Sequence, residues 1–221
     1  MFSAFANCWR IPELRARLIA TVALVFVARI GASIPLPGID PKDIMDYYQS
    51  MADKSSGGVV AMYNMFTGGA LLKGAVFSLG IMPYISASII VQLLGTMYGP
   101  WQQLKKEGEQ GRKKMNQWTR YGTVALALFQ GYGIAISLQA GGLAHTPGAF
   151  FVASCVITLV GGTMFLMWLG EQITARGIGN GTSLIIFVGI VAEIPAALAQ
   201  FFSQGRAGVI STPVIVGVLV M

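Results

Sequence analysis

Long apolar runs separated by short polar stretches set the pattern of this chain. The runs cover residues 18–34, 74–95, 119–138, 150–169 and 182–202. Each is about as long as a helix must be to cross roughly 30 Å of hydrocarbon. The pattern predicts five transmembrane helices. Residues 209–221 open a sixth run that is too short to cross, so the sequence read alone predicts a fragment, or the ordered half of something longer.

The second run, GAVFSLGIMPYISASIIVQLLG, carries no charge over residues 74–95 but holds Ser78, Ser86, Ser88, Gln92 and Pro83. A span that only anchors needs none of these. Pro83 predicts a bend, because proline frees a carbonyl one turn back. Ser86, Ser88 and Gln92 suit hydrogen bonds to other helices, at a surface that opens or at a static one. Ile81 and Ile85 are four apart and share a helix face. That face either narrows a pore or packs against lipid and protein.

Upstream lies VVAMYNMFTGGALL, residues 59–72, too short and glycine-rich for a span. The pair Gly68–Gly69 predicts a break. Two readings stand: a re-entrant element in a cavity, or an amphipathic helix on the outer surface.

Composition agrees with a membrane chain. Of 221 residues, 54% are hydrophobic and 11% charged, against about 25% charged in soluble domains. The net charge of +6 sits between the runs, where it reads as topology instead of nucleic-acid binding. With the amino terminus inside, cytoplasmic segments hold Arg10, Arg15, Arg17, Lys105, Lys106, Arg112, Lys113, Lys114, Arg120 and Arg176. The outer segments hold Lys42, Lys54 and Arg206. The bias is positive-inside. Residues 1–17 read as a retained cytoplasmic amphipathic segment, with no early apolar core of a signal peptide. Trp101, Trp118 and Trp168 suit an interfacial belt.

Charges inside the runs are costly and so informative. Arg29 in the first run either snorkels outwards or meets a partner in the bundle. Glu193 in the fifth either reaches water or couples protons. Glu171 is expected to pair with Arg176 across the turn EQITARGIGNG, whose glycines mark a tight return. No strand precedes that GxGxG, so it is no dinucleotide site. Cys8 and Cys155 lack metal or redox spacing, and Cys155 reads as a packing residue. His145 reads as a solvent-exposed loop residue. No HExxH and no flanked nucleophile appears, so the sequence predicts no enzyme, no metal and no cofactor.

The stretches IPLPGID (34–40), YNMFTGGAL (63–71), LGIMPYISASIIVQLL (79–94), KKEGEQGRKK (105–114), TRYGT (119–123) and GTMFLMWLGEQITARGIGNGTSLIIF (162–187) together give the chain a close resemblance to the amino-terminal half of the SecY family of protein-conducting channels. The resemblance implies an all-α polytopic fold, half of a ten-span pseudosymmetric bundle with a re-entrant plug helix. Residues 18–208 would be the first half-channel and 209–221 the start of span six.

It implies a plug at about 59–71, including Tyr63, Asn64, Met65, Phe66, Thr67, Gly68 and Gly69. It implies a pore ring with Ile81, Ile85, Thr182 and Ile186 from this half, Thr182 departing from the usual apolar side chain. Pro83, Ser86, Ser88 and Gln92 would belong to a lateral gate. The basic loop of Lys105, Lys106, Arg112, Lys113 and Lys114 would face a motor, ribosomal RNA or anionic lipid, or would only set topology. Implied partners are the small subunits SecE and SecG, the SecA motor ATPase or a translating ribosome, signal peptides and secretory polypeptides, anionic lipids, and the second half of the channel. The implied location is the bacterial inner membrane. A secondary transporter with broken helices and a non-conducting remnant are the competing readings.

Overall fold

The computed structural model describes residues 11–52, 57–144 and 147–206. Cys8, Arg10, Lys54, His145 and the run 209–221 lie outside them, as do the side chains of Lys105, Lys106 and Arg206. Eight helices follow in order among the described residues: α1 Pro12–Gly31, α2 Pro41–Ala52, α3 Gly57–Thr67, α4 Met82–Met97, α5 Gly99–Lys106, α6 Glu109–Ala140, α7 Ala149–Arg176 and α8 Gly181–Arg206. Helices α6 and α7, and residues Gly181–Ala199 of α8, are long and apolar enough to cross a membrane. The chain is an all-α membrane protein.

The second run departs most from its expected form. It is not one helix. Only Met82–Met97 is helical, about 24 Å at 1.5 Å per residue, short of a hydrocarbon core. Residues 74–81 instead run as successive turns. Gly74 and Gly80 have φ of 55° and 56°, values that L side chains resist. Pro83 lies in the first turn of α4, where its missing N–H costs nothing. It starts the helix; the bend expected of it does not arise.

The turn segment is deeply buried, with Ala75 and Leu79 at 0% exposure. Its backbone bonds are made locally. Leu36 N donates to Gly74 O (2.8 Å) and Val76 N to Ile34 O (2.9 Å). Ser78 Oγ donates to Ala70 O at 3.1 Å. Irregular backbone is tolerated at membrane depth when protein buries it and pairs it.

The other runs are helical but differently bounded. Helix α1 starts at Pro12, a favoured first-turn residue, and stops at Gly31, before the IPLPG turn. The basic loop is mostly helix: α5 ends at Lys106, Gly108 turns the chain at φ 70°, and α6 starts at Glu109. The 32 residues of α6 span about 48 Å, so its exposed first turns, with Arg112, Lys113 and Lys114, extend beyond a 30 Å core. Helix α7 continues seven residues past the expected end of its run, to Arg176.

That extension changes the pairing of Glu171. Residues five apart on a helix do not share a face, so Glu171 does not meet Arg176. Its carboxylate instead accepts from Nε (3.0 Å) and Nη2 of Arg120 on α6. Both side chains are well exposed, at 49% and 32%. Arg120→Gln is therefore expected to cost under about 1 kcal/mol, read as a thermal midpoint almost unmoved in detergent.

The tight return is residues 177–180. Asn180 Oδ1 caps α8 by accepting from Thr182 N at 3.1 Å. Ile178 N donates to Thr21 Oγ1 at 3.2 Å, tying the return to α1.

Small residues let the long helices approach. Gly111, Thr119, Thr123, Ala127, Gly131 and Ala135 form the buried stripe of α6, at spacings of four or eight. Gly122, beside that stripe, approaches Ala87 of α4. Cys155 is fully buried in the core between α6 and α7, as a packing residue. Helix α2, outside the spans, packs Tyr47 and Tyr48 on that core. Burial, followed by neighbouring Tyr47, pushes the Tyr48 phenol up to about 12. A raised phenol pKa leaves neutral-pH stability unchanged. It predicts stability that falls as pH rises from about 10 towards 12, checked by alkaline unfolding with Tyr48→Phe as control.

Candidate functional site: a short helix closed over a central cavity

Helix α3 is short because Gly68 and Gly69 follow it at φ 63° and 80° and turn the chain back. Its inward side chains hold it. The Tyr63 hydroxyl donates to Leu79 O at 3.2 Å. Asn64 Oδ1 accepts from Leu72 N at 3.2 Å, and Asn64 O accepts from Gly69 N at 3.0 Å. Thr67 Oγ1 donates to the same carbonyl at 3.0 Å. Asn64 and Thr67 are buried, whereas Met65 and Phe66 are partly exposed. The segment therefore folds back and packs on α8 and α2.

Close glycine contacts set the approach to α8. A Cβ at Gly68 would stand 2.9 Å from Gly189 Cα, on a backbone with positive φ. A Cβ at Gly189 would meet Gly68 Cα at 3.5 Å, an ordinary contact. Gly189→Ala is expected to be tolerated. Gly68→Ala should cost about 2 kcal/mol, from left-handed strain and overpacking. Paired thermal midpoints of the two variants check this asymmetry.

A cavity of about 50 Å³, room for only a few waters, lies where α1, α3, α7, α8 and the turn segment before α4 meet. Ile81, Ile186, Phe66, Thr67 and Arg29 are among its lining residues. Of the four residues of the implied ring, the structure brings Ile81 and Ile186 together here. Ile85 lies one turn along α4, half-buried against the same apolar cluster that holds Ile81. Thr182 turns towards α7, where a Cβ at Gly170 would stand 3.4 Å from its Oγ1, and it neighbours the Tyr84 hydroxyl.

Two polar side chains of α4 pair within their own helix. Gln92 Nε2 donates to Ser88 Oγ (3.1 Å) one turn back on its own helix. Pro83 is buried and Ser86 half-buried. The two charges of the runs meet each other. Arg29 Nη2 lies 3.9 Å from Glu193 Oε1, and Arg29 Nη1 donates to Gly68 O at 2.6 Å. The sequence shows each charge as costly but not that they meet across the α3 glycines. Among the described residues, no group of His, Cys, Asp or Glu could hold a metal.

This architecture, long apolar helices beside a folded-back short helix, is that of an all-α multi-pass membrane protein. The SecY family model matches residues 75–221, and the chain belongs to that family. It is similar to the protein translocase subunit SecY of Rickettsia felis, 49% identical over 218 residues, covering 95% of this chain and 49% of the relative. The subunit of the same name from Escherichia coli K12 is 51% identical over 200 residues, covering 89% and 44%. The chain thus spans about half the length of these relatives. Its fold resembles Sec61 in the canine ribosome-channel complex from the endoplasmic reticulum, with TM-score 0.59, 18% identity and coverage of 97% and 50%.

Proposed function

We propose that this chain supplies the first half of a protein-conducting channel in a bacterial inner membrane, with its amino terminus in the cytoplasm. The single observation that carries this reading is the shared cavity of Ile81 and Ile186 under the short helix α3. Branched apolar side chains around a narrow opening exclude ions by dewetting yet bind no particular peptide side chain. A conduit for varied unfolded secretory chains needs that indifference. Helix α3 acts as the plug, and α4 forms one wall of a lateral gate through which hydrophobic segments leave. The facing wall comes from the second half of a ten-span bundle.

Energy comes from partners, a SecA-type motor or a translating ribosome, and SecE and SecG complete the assembly. The exposed basic start of α6 faces those partners or anionic lipid. The transporter reading loses its main support, because Arg29 and Glu193 pair with each other and Arg29 also donates to the Gly68 carbonyl.

A photo-crosslinking side chain at position 81 of the complete channel tests the proposal. It is expected to capture a stalled secretory chain. Capture of none, with the same chain stalled on the native channel, overturns it.

A further inference from the structure

We propose that Arg29 and Glu193 form a charged clasp that holds the carboxyl end of α3 against α8. The inference rests on reading α3 as the movable element of a channel, and it assigns the residues that keep it seated. Three elements meet at this point. Arg29 comes from the last turn of α1, Gly68 and Gly69 end α3, and Glu193 lies on α8.

The carboxyl end of a helix carries partial negative charge on its unpaired carbonyls. Arg29 Nη1 donates to Gly68 O, the carbonyl of the residue that follows the last helical one, at 2.6 Å. The guanidinium is thus an external cap for α3, supplied by another helix. Glu193 lies on its other side, with Oε1 at 3.9 Å from Nη2, an ion pair outside hydrogen-bond range. The carboxylate also crowds the α3 glycines: a Cβ at Gly69 would stand 2.3 Å from Oε1. The side chains are 35% and 24% exposed, so neither charge is sealed inside the core.

The geometry makes the roles unequal. Without Glu193, Arg29 still binds the Gly68 carbonyl. Without Arg29, a carboxylate faces the negative end of α3 and repels it. Loss of Arg29 therefore unseats α3 more than loss of Glu193. Removing the carboxylate as well restores part of the seating. A merely structural role for Arg29 predicts no such recovery, because a second lost contact only adds damage.

The test uses spin labels at Met65 and Phe187, both exposed, in the complete channel in lipid vesicles. Pulsed dipolar spectroscopy reads their separation. The native protein is expected to give a dominant short distance with a trace of a longer one. Glu193→Gln should add a minor longer component. Arg29→Met should raise the longer component about tenfold over the native level. Arg29→Met with Glu193→Gln should return it towards the Glu193→Gln level. A native distance in Arg29→Met overturns the clasp, and so does a double variant no closer to native than Arg29→Met alone. Ion conductance of the same vesicles separates the two readings. A lengthened distance with recovery, but no rise in conductance, upholds the clasp and sinks the channel reading.

Discussion

Ile81→Asp is expected to make the resting channel leak ions by at least about tenfold, equivalent to roughly 1.4 kcal/mol off the barrier to entry. Ile81 is 5% exposed and lines the same small cavity as Ile186. A carboxylate there recruits water where branched apolar side chains exclude it. Ile81→Val retains an apolar branched side chain and should leave the leak low. Conductance across planar bilayers, with no secretory chain present, measures both. An Ile81→Asp channel as tight as native would remove the hydrophobic seal from this position. Ile85→Asp is expected to leak less, because Ile85 lies outside the cavity lining, at the edge of the apolar cluster that holds Ile81.

The largest stability effect is expected one helix away, at Gly162→Val. A Cβ at Gly162 would stand 2.4 Å from Val76 O and 3.1 Å from Phe77 Cδ1. The carbonyl belongs to the buried turn segment, which is pinned to residues 34–36 by two backbone bonds. It cannot swing aside as a flexible side chain would. A shift propagates into Phe77, itself stacked on Phe165 at 6.1 Å. The expected cost is about 3 kcal/mol or more, at the upper end for overpacking. The yield of folded, monodisperse protein and its thermal midpoint should both fall. Gly161 is the internal control, since a Cβ there meets nothing within 4 Å. Gly161→Ala should leave stability level or raise it by up to about 1 kcal/mol through helix propensity. Equal effects at the two glycines would refute the packing argument.

The sequence disclosed the spans better than their interiors. Runs three, four and five became long helices because length and hydropathy suffice for that. Run two misled because hydropathy cannot separate an apolar helix from apolar backbone buried on all sides. The local signs were Gly74, Gly80 and Pro83, three residues that together favour turns followed by a helix start. The break after Thr67 was legible in Gly68–Gly69 for the same reason, since each takes a positive φ. Long-range partners were not. Glu171 had two arginines to choose from, and continuation of α7 to Arg176 decided for Arg120. Arg29 and Glu193 each stood out as charges in apolar runs, but nothing local says that α1 and α8 are neighbours.

The turn segment at residues 74–81 also bears on how the protein is made. Its cross-strand bonds come from residues 34–36, already synthesised when it emerges. Its cover does not. Gly162 and Phe165 of α7 shield Val76 and Phe77, and they are translated almost ninety residues later. Until they arrive, Val76 and Phe77 lack that cover. The buried turn segment is therefore complete only once the fourth run docks.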